Sequence, residues 1–273
     1  MPRPDWRLAS AYENLRSLDA PGFAWEFLSR NPEFERDRAQ VEKSGENTTV
    51  AQLDRFTRRW GCYFPTGRSG QIVQPLWTAT SLPSVIAIMP LPAALADRDL
   101  TPSALSLDQA LAQNGPLWLI QRKDTLFRLH IIEAPGAGTP CVVLPLDKYF
   151  DTRVTAATRL WRGLAGRSPG RSPAQLSVVR RERLILALRA LDGRLEMATY
   201  RDIAQTLFCA SRIPDRGWKT HDTRDRTVRL VRLGLSMMQG GYRHLLLYPY
   251  RGRSDKRSFG RMLRTPSDSV DRG

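Results

Sequence analysis

Apolar residues recur at three- and four-residue spacing through both ends of the chain and lose that rhythm in the middle. Leu8, Tyr12 and Leu15 predict a first helical segment opened by Asp5-Trp6. Asp19 and Pro21 open a second, with Phe23, Trp25, Phe27 and Leu28 as a dense apolar cluster. Asn31-Pro32 stops it, PEFERDRAQVEK resumes as a charged helix, and Val50 to Trp60 forms another. Aromatics at this spacing build a small helical core; the alternative is a base-stacking platform of Trp6, Phe23, Trp25 and Phe27. From Gly61 to about Pro116, proline and glycine cut the text into short apolar runs such as Val85 to Met89. That predicts a loop-rich connector with short strands and a linker at PTGRSGQI, near residues 65–72. PLWLIQ and LFRLHII flank RKDT and alternate at Leu117, Leu119, Leu126 and Leu129, the pattern of a β-hairpin. PGAGTP is a loop without the Lys-Ser/Thr ending of a phosphate loop, and CVVLPL is a further short strand.

After Asp147 the helical period returns. Val154, Ala157, Leu160, Trp161 and Leu164 mark one face of a helix from Asp151 to Ala165. Ser172-Pro173 predicts the start of a long helix, AQLSVVRRERLILALRAL, and Asp192-Gly193 its end. Thr199 can cap the next helix, with Asp202 three residues on as a short capping box and Ile203, Ala204, Leu207 and Phe208 as its apolar face. Pro214 and Gly217 break it. Thr220, Asp222 or Thr223 caps a last helix, which carries Val228, Val231, Leu235 and Met238 on one stripe and ends at Gly240-Gly241. The expected fold is α+β and mainly helical. It divides into a small helical domain (1–64), a connector with short strands (65–116), a β-hairpin plus helix-turn-helix domain (117–250), and a basic disordered tail (251–273).

A short helix, a turn and a longer helix with a cationic leading end is the plan in which the second helix enters the DNA major groove. Candidate contacts are Trp218, Lys219, His221, Thr223, Arg224, Arg226, Thr227 and Arg229, with Arg201 on the preceding helix and Arg243 beyond the end. An ordinary solvated helix face is the competing reading. Charge favours DNA. Residues 1–150 hold 16 Lys+Arg and 16 Asp+Glu, whereas 151–273 hold 26 and 11, so the whole formal charge of +15 lies in the second part. Such a field attracts a polyanion and makes binding salt-dependent. Double-stranded DNA is the expected partner. A membrane surface fits less well, because the basic helices carry wide core-type stripes and no apolar run nears the roughly 20 residues that span a bilayer. MPRPDWRLAS lacks the apolar core of a signal peptide, which predicts a cytoplasmic, nucleoid-associated protein. Three widely spaced cysteines, Cys62, Cys141 and Cys209, form neither a disulfide framework nor a metal site, and no cofactor is expected.

Several stretches carry a resemblance. TYRDIAQTLF, followed by GWKTHDTRDRTVRLVRLGLSMMQGGYRHLL, resembles the excision activators of proteobacterial integrative and conjugative elements, the frameshifted excision activators. CVVLPLDKYFDTRVTAATRLWRGLAGR resembles the start of their C-terminal domain, and DWRLASAYENLRSLDAPGFAWEFLSRNPEFERDRA their N-terminal regulator-like domain. The resemblance implies a transcriptional activator with a helix-turn-helix variant as its C-terminal domain, switching on the excisionase promoter of a mobile element. It also implies opposition by a small antiactivator similar to that domain. In the family some activators arise by frameshifting between two genes; here both parts lie in one chain. The family's recognition segment corresponds to Trp218, Lys219, Arg224, Arg226 and Arg229.

One catalytic alternative is a tyrosine recombinase. His221-Asp-Thr-Arg224 matches its His-x-x-Arg motif, with His244, Tyr248 and Tyr250 downstream, but no strong upstream Arg and β-hairpin Lys pair stands out, although Arg128 and Lys123 are nominally available. The interval from His244 to either tyrosine is tight, and four-residue matches are common in an arginine-rich chain, so no catalysis is expected. A plasmid replication-initiator-like role and a protein-only interaction module also compete with the activator reading. The neutral, aromatic-rich N-terminal segment suits a protein partner such as RNA polymerase, a second copy or the antiactivator. Its mixed face is formed by Glu33, Glu35, Arg36, Asp37 and Arg38.

Overall fold

Polar residues at the predicted starts set the N-terminal helices. The computed structural model describes residues 3–63, 76–95, 110–114, 116–122, 125–133, 139–208 and 222–249. A 3-10 segment over Ala9–Ser17 leads into α1 (Ala20–Leu28), where the Asp19 carboxylate accepts the Gly22 N–H at 2.9 Å. The Asn31 side chain likewise accepts from Glu33 and Phe34 at the start of α2 (Pro32–Ser44). Thr49 and Gln52 form a reciprocal capping box on α3 (Val50–Trp60). Trp6, Phe23 and Phe27 are fully buried, so they are core and not a stacking platform.

The middle of the chain builds one five-stranded sheet in the order β2-β3-β4-β1-β5. Its strands are β1 (Ile86–Pro90), β2 (Ala110–Asn114), β3 (Leu117–Arg122), β4 (Thr125–Ile131) and β5 (Pro140–Val143). The expected hairpin is β3–β4, with Arg122 opposite Thr125. The apolar run of the connector becomes β1, parallel to β4 and antiparallel to β5. Ile86, Ile88, Ile120, Phe127, Leu129 and Ile131 form an apolar layer under Ala156 and Leu160 of α4 (Phe150–Leu164). Leu117 and Leu119 belong to the larger helical core.

Two expectations about helix faces and ends are corrected. α4 buries Arg153, Ala156 and Leu160, while Val154 and Trp161 lie outside at 36% and 54% exposure. A charged residue enters the buried stripe because Asp147 neutralises the Arg153 guanidinium at 2.8 Å. The long helix α5 (Val178–Leu195) is capped by Ser177, not Ser172, and runs through Asp192-Gly193 instead of ending there. Gly193 allows a close approach: a Cβ at that position would lie 3.1 Å from both Trp6 and Ile203. Asp192 is fully buried and accepts from Arg30 Nε at 2.7 Å, Arg30 Nη2 at 2.9 Å and the Tyr12 hydroxyl at 2.6 Å. Burial alone would push Arg30 down, but the Asp192 bonds and charge reverse that and hold it above its usual value.

These contacts decide how the chain segments combine in space. α6 (Tyr200–Phe208), α7 (Asp222–Ser236), a π-helical turn at Met237–Gly241 and α8 (Arg243–Leu246) complete the described elements. Phe23, Phe27 and Trp60 share one continuous core with Leu188, Leu191, Val231, Tyr242 and Leu246. Arg189 donates to the Trp6 carbonyl at 3.0 Å, and the Trp6 indole N–H to Glu196 at 2.8 Å. The segments 1–64 and 117–250 differ in composition, yet their helices pack as one body. The proposed linker at residues 65–72 and the tail at 251–273 lie outside the described residues.

Candidate nucleic-acid interface

The predicted helix pair is α6 and α7. At the α6 N-terminus the Thr199 hydroxyl donates to Asp202 at 2.6 Å, and the Asp202 N–H donates back to the Thr199 oxygen at 3.2 Å. The Thr199 hydrogen bond holds the Asp202 carboxyl below the usual carboxylate range. Ile203, Ala204 and Leu207 are buried as the spacing requires. Residues 209–221 lie outside the described residues, and with them the predicted contacts Trp218, Lys219 and His221.

α7 turns inward a face that shares Val231 and Met238 with the expected stripe but is rotated away from Val228 and Leu235. Thr227, Leu230, Val231, Gly234 and Met238 point into the body, whereas Val228 and Leu235 are only half-buried. Small size decides this. A Cβ on Gly234 would sit 2.7 Å from the Ala187 carbonyl oxygen and 2.8 Å from Leu191 Cβ, so α5 and α7 meet where α7 has no side chain. Thr227 is fully buried, and its hydroxyl donates to the Thr223 carbonyl at 2.7 Å. It serves the helix and is absent from the outer face that carries the exposed arginines, unlike its place among the expected contacts. Thr223 is half-buried at the helix start.

The outward side is strongly basic. Arg224, Arg226, Arg229 and Arg232 are all exposed. At about 100° per residue, Arg224 and Arg226 stand roughly 200° apart on opposite flanks, while Arg229 and Arg232 lie near the centre of the exposed face. Arg226 stacks its guanidinium 4.1 Å from the Phe208 ring centroid, tying α6 to α7. Arg224 pairs with the exposed Asp225 at 3.3 Å, and Arg229 Nε donates to the Asp225 carbonyl at 3.2 Å. Arg232 makes no hydrogen bond or ion pair among the described residues. It is missing from the contacts expected from the sequence, although its position three residues after Arg229 was signal enough.

Arg201 is half-buried on α6. Arg243 sits at the far end of the helix array and donates to the Arg59 carbonyl at 2.7 Å. Beside it the buried Tyr242 hydroxyl donates to the Trp60 carbonyl at 3.1 Å. Both bonds satisfy carbonyls at the C-terminus of α3, a structural task. Of the groups named for recombination, Arg128 pairs with Asp19 at 3.1 Å and Tyr248 lies under Arg180 at 4.6 Å. Lys123, His221 and Tyr250 lie outside the described residues.

Two family matches support the class, a DNA-binding transcriptional regulator. Residues 143–247 match a family described as the DNA-binding domain of a type VI secretion (T6SS) transcription factor. Residues 5–65 match the proteobacterial transcriptional regulator-like domain. Comparison with curated proteins finds no match. No helix among the described residues is long and apolar enough to cross a membrane.

Proposed function

We propose that the chain is a sequence-preferring transcriptional activator that reads duplex DNA with α7 and performs no chemistry on it. The observation that carries this reading is the cluster of exposed arginines on α7, a helix anchored on α5 and α6 within the segment matched to a DNA-binding domain. Arg229 and Arg232 face the groove centrally, and Arg224 and Arg226 reach toward the flanking strands. The resemblance to excision activators supports control of the excision and transfer genes of a mobile element. The description of the matched C-terminal family favours a second set of targets, genes of type VI secretion.

Gel-shift titration across several salt concentrations tests the DNA reading. Affinity falls linearly on a log–log salt plot, and Arg232→Ala lowers the slope by about 1 if it holds a phosphate. Salt-insensitive binding refutes it. Genome-wide occupancy then separates the two target sets. The N-terminal helices present their outer surface to RNA polymerase or to a small antiactivator. Because the N-terminal helices share one core with α5, α7 and α8, deleting residues 1–64 would disturb the fold, and surface substitutions are the cleaner probe. Arg36→Glu with Arg55→Glu should leave occupancy unchanged and abolish activation. Absence of catalysis is checked with a nicked suicide substrate, on which a covalent adduct lost in Tyr248→Phe or Tyr250→Phe would promote the recombinase reading.

A further inference from the structure

A cleft of two adjoining hollows, about 50 Å³ and 360 Å³, opens where β4, α4, the segment before α5 and the chain after α8 meet. The hollows share Asp19, Leu126, Arg159 and Ser172. Among the described residues, four guanidinium groups line them, from Arg128, Arg159, Arg171 and Arg181, against a single carboxylate, Asp19. That carboxylate is already committed, because it caps α1 and pairs with Arg128 at 3.1 Å. The described lining therefore holds three more positive charges than its own acid can balance.

Two of the arginines have donors to spare. Arg159 donates from Nη2 to the Gly170 carbonyl at 3.3 Å, while its Nε is buried with no hydrogen-bond partner. Arg181 repeats the arrangement, with a 3.4 Å bond to the Leu176 carbonyl and a buried, unsatisfied Nε. A guanidinium has five N–H donors in a planar fork, and leaving a buried one unmet is costly. Arg171 bonds Gln175 at 3.0 Å at the rim. Phe127, Leu126 and Leu247 add apolar wall beside these charges.

We propose that this cleft binds a small phosphorylated organic molecule. The phosphoryl oxygens take the remaining Nη hydrogens of Arg159 and Arg181, with Arg171 as the third cation, and the organic body lies against the apolar wall. Concavity favours a small ligand over the DNA backbone, which a convex helix such as α7 suits better. The site spans α4 and α5 of the DNA-binding half and Asp19 of the N-terminal half. A ligand there acts on both. The proposal does not depend on which promoter the protein controls.

The test uses the full chain without DNA, titrated by calorimetry with inorganic phosphate and with phenyl phosphate at matched ionic strength. One saturable site is expected, tighter for phenyl phosphate than for phosphate. Arg171→Gln, at an exposed position that leaves the core intact, weakens it by about tenfold or more, the loss of one charge-assisted bond. Arg181→Gln does the same, and gel-shift affinity for DNA stays within about twofold in both, because neither side chain belongs to α7. No saturable binding, equal binding of both probes, or retained binding in the variants overturns the proposal. So does a parallel loss of DNA affinity, which would make the cluster a contact to the DNA backbone.

Discussion

Removing the Asp192 carboxylate should uncouple the two halves of the molecule, and its cost can be worked from the contacts. Asp192→Ala leaves the Arg30 guanidinium, 4% exposed, with Glu26 as its remaining acid at 2.9 Å. Breaking a buried pair from one side costs about 3–5 kcal/mol, and the surviving Glu26 contact places this case near 3. The Tyr12 hydroxyl loses its 2.6 Å acceptor, and the Pro4 carbonyl at 3.4 Å replaces it poorly, adding about 1 kcal/mol. The total is about 4 kcal/mol, a large share of the roughly 5–15 kcal/mol typical of folded domains. Urea denaturation followed by tryptophan fluorescence measures it; for a slope of about 3 kcal/mol/M the midpoint falls by roughly 1.3 M. Because the core is continuous, the wild-type chain should unfold in one transition, and Asp192→Leu with Arg30→Met should recover most of the loss. A loss below about 1 kcal/mol, or a 143–249 fragment as stable as the whole chain, would refute the shared-core reasoning.

Gly234→Ala should destabilise the chain by about 1–3 kcal/mol, read as a lower thermal midpoint, because its Cβ would push Ala187 and Leu191 of α5 apart. An unchanged midpoint would mean the two helices are not in that contact. Arg229→Ala should weaken a specific DNA site by about 1–3 kcal/mol in fluorescence anisotropy, whereas Thr227→Val should alter stability more than DNA contact, its hydroxyl being buried. Burial raises the Cys62 thiol from its usual 9.0 to about 12, opposed in part by Arg243. Its contribution to stability is therefore complete below pH 9 and is lost as pH rises from 9 toward 12; Cys62→Ala should flatten that part of the alkaline profile. The same burial predicts that a thiol reagent at about pH 8 modifies Cys62 only after unfolding.

Local chemistry was enough to read most elements from the sequence. Asp19, Asn31, Thr49 and Thr199 cap helices where their side chains can reach a free N–H, and that depends only on residues two or three positions away. The β3–β4 hairpin and the α6–α7 pair follow from apolar spacing for the same reason. The basic surface of α7 was legible too, since exposed charge needs no partner. Tertiary contact decided the rest. Asp192-Gly193 has the composition of a helix stop, yet it lies inside α5 because Arg30, Tyr12 and Trp6, more than 160 positions away, need an acid and a gap there. Thr227 and Gly234 look weaker than Val228 and Leu235 as core residues on α7. They face inward because close helix packing rewards small side chains over apolar ones, and only the neighbouring α5 reveals how close that packing is. The union of the N-terminal helices with α5, α7 and α8 in one core was hidden for a related reason: composition varies along the chain, whereas burial is settled between segments far apart in it.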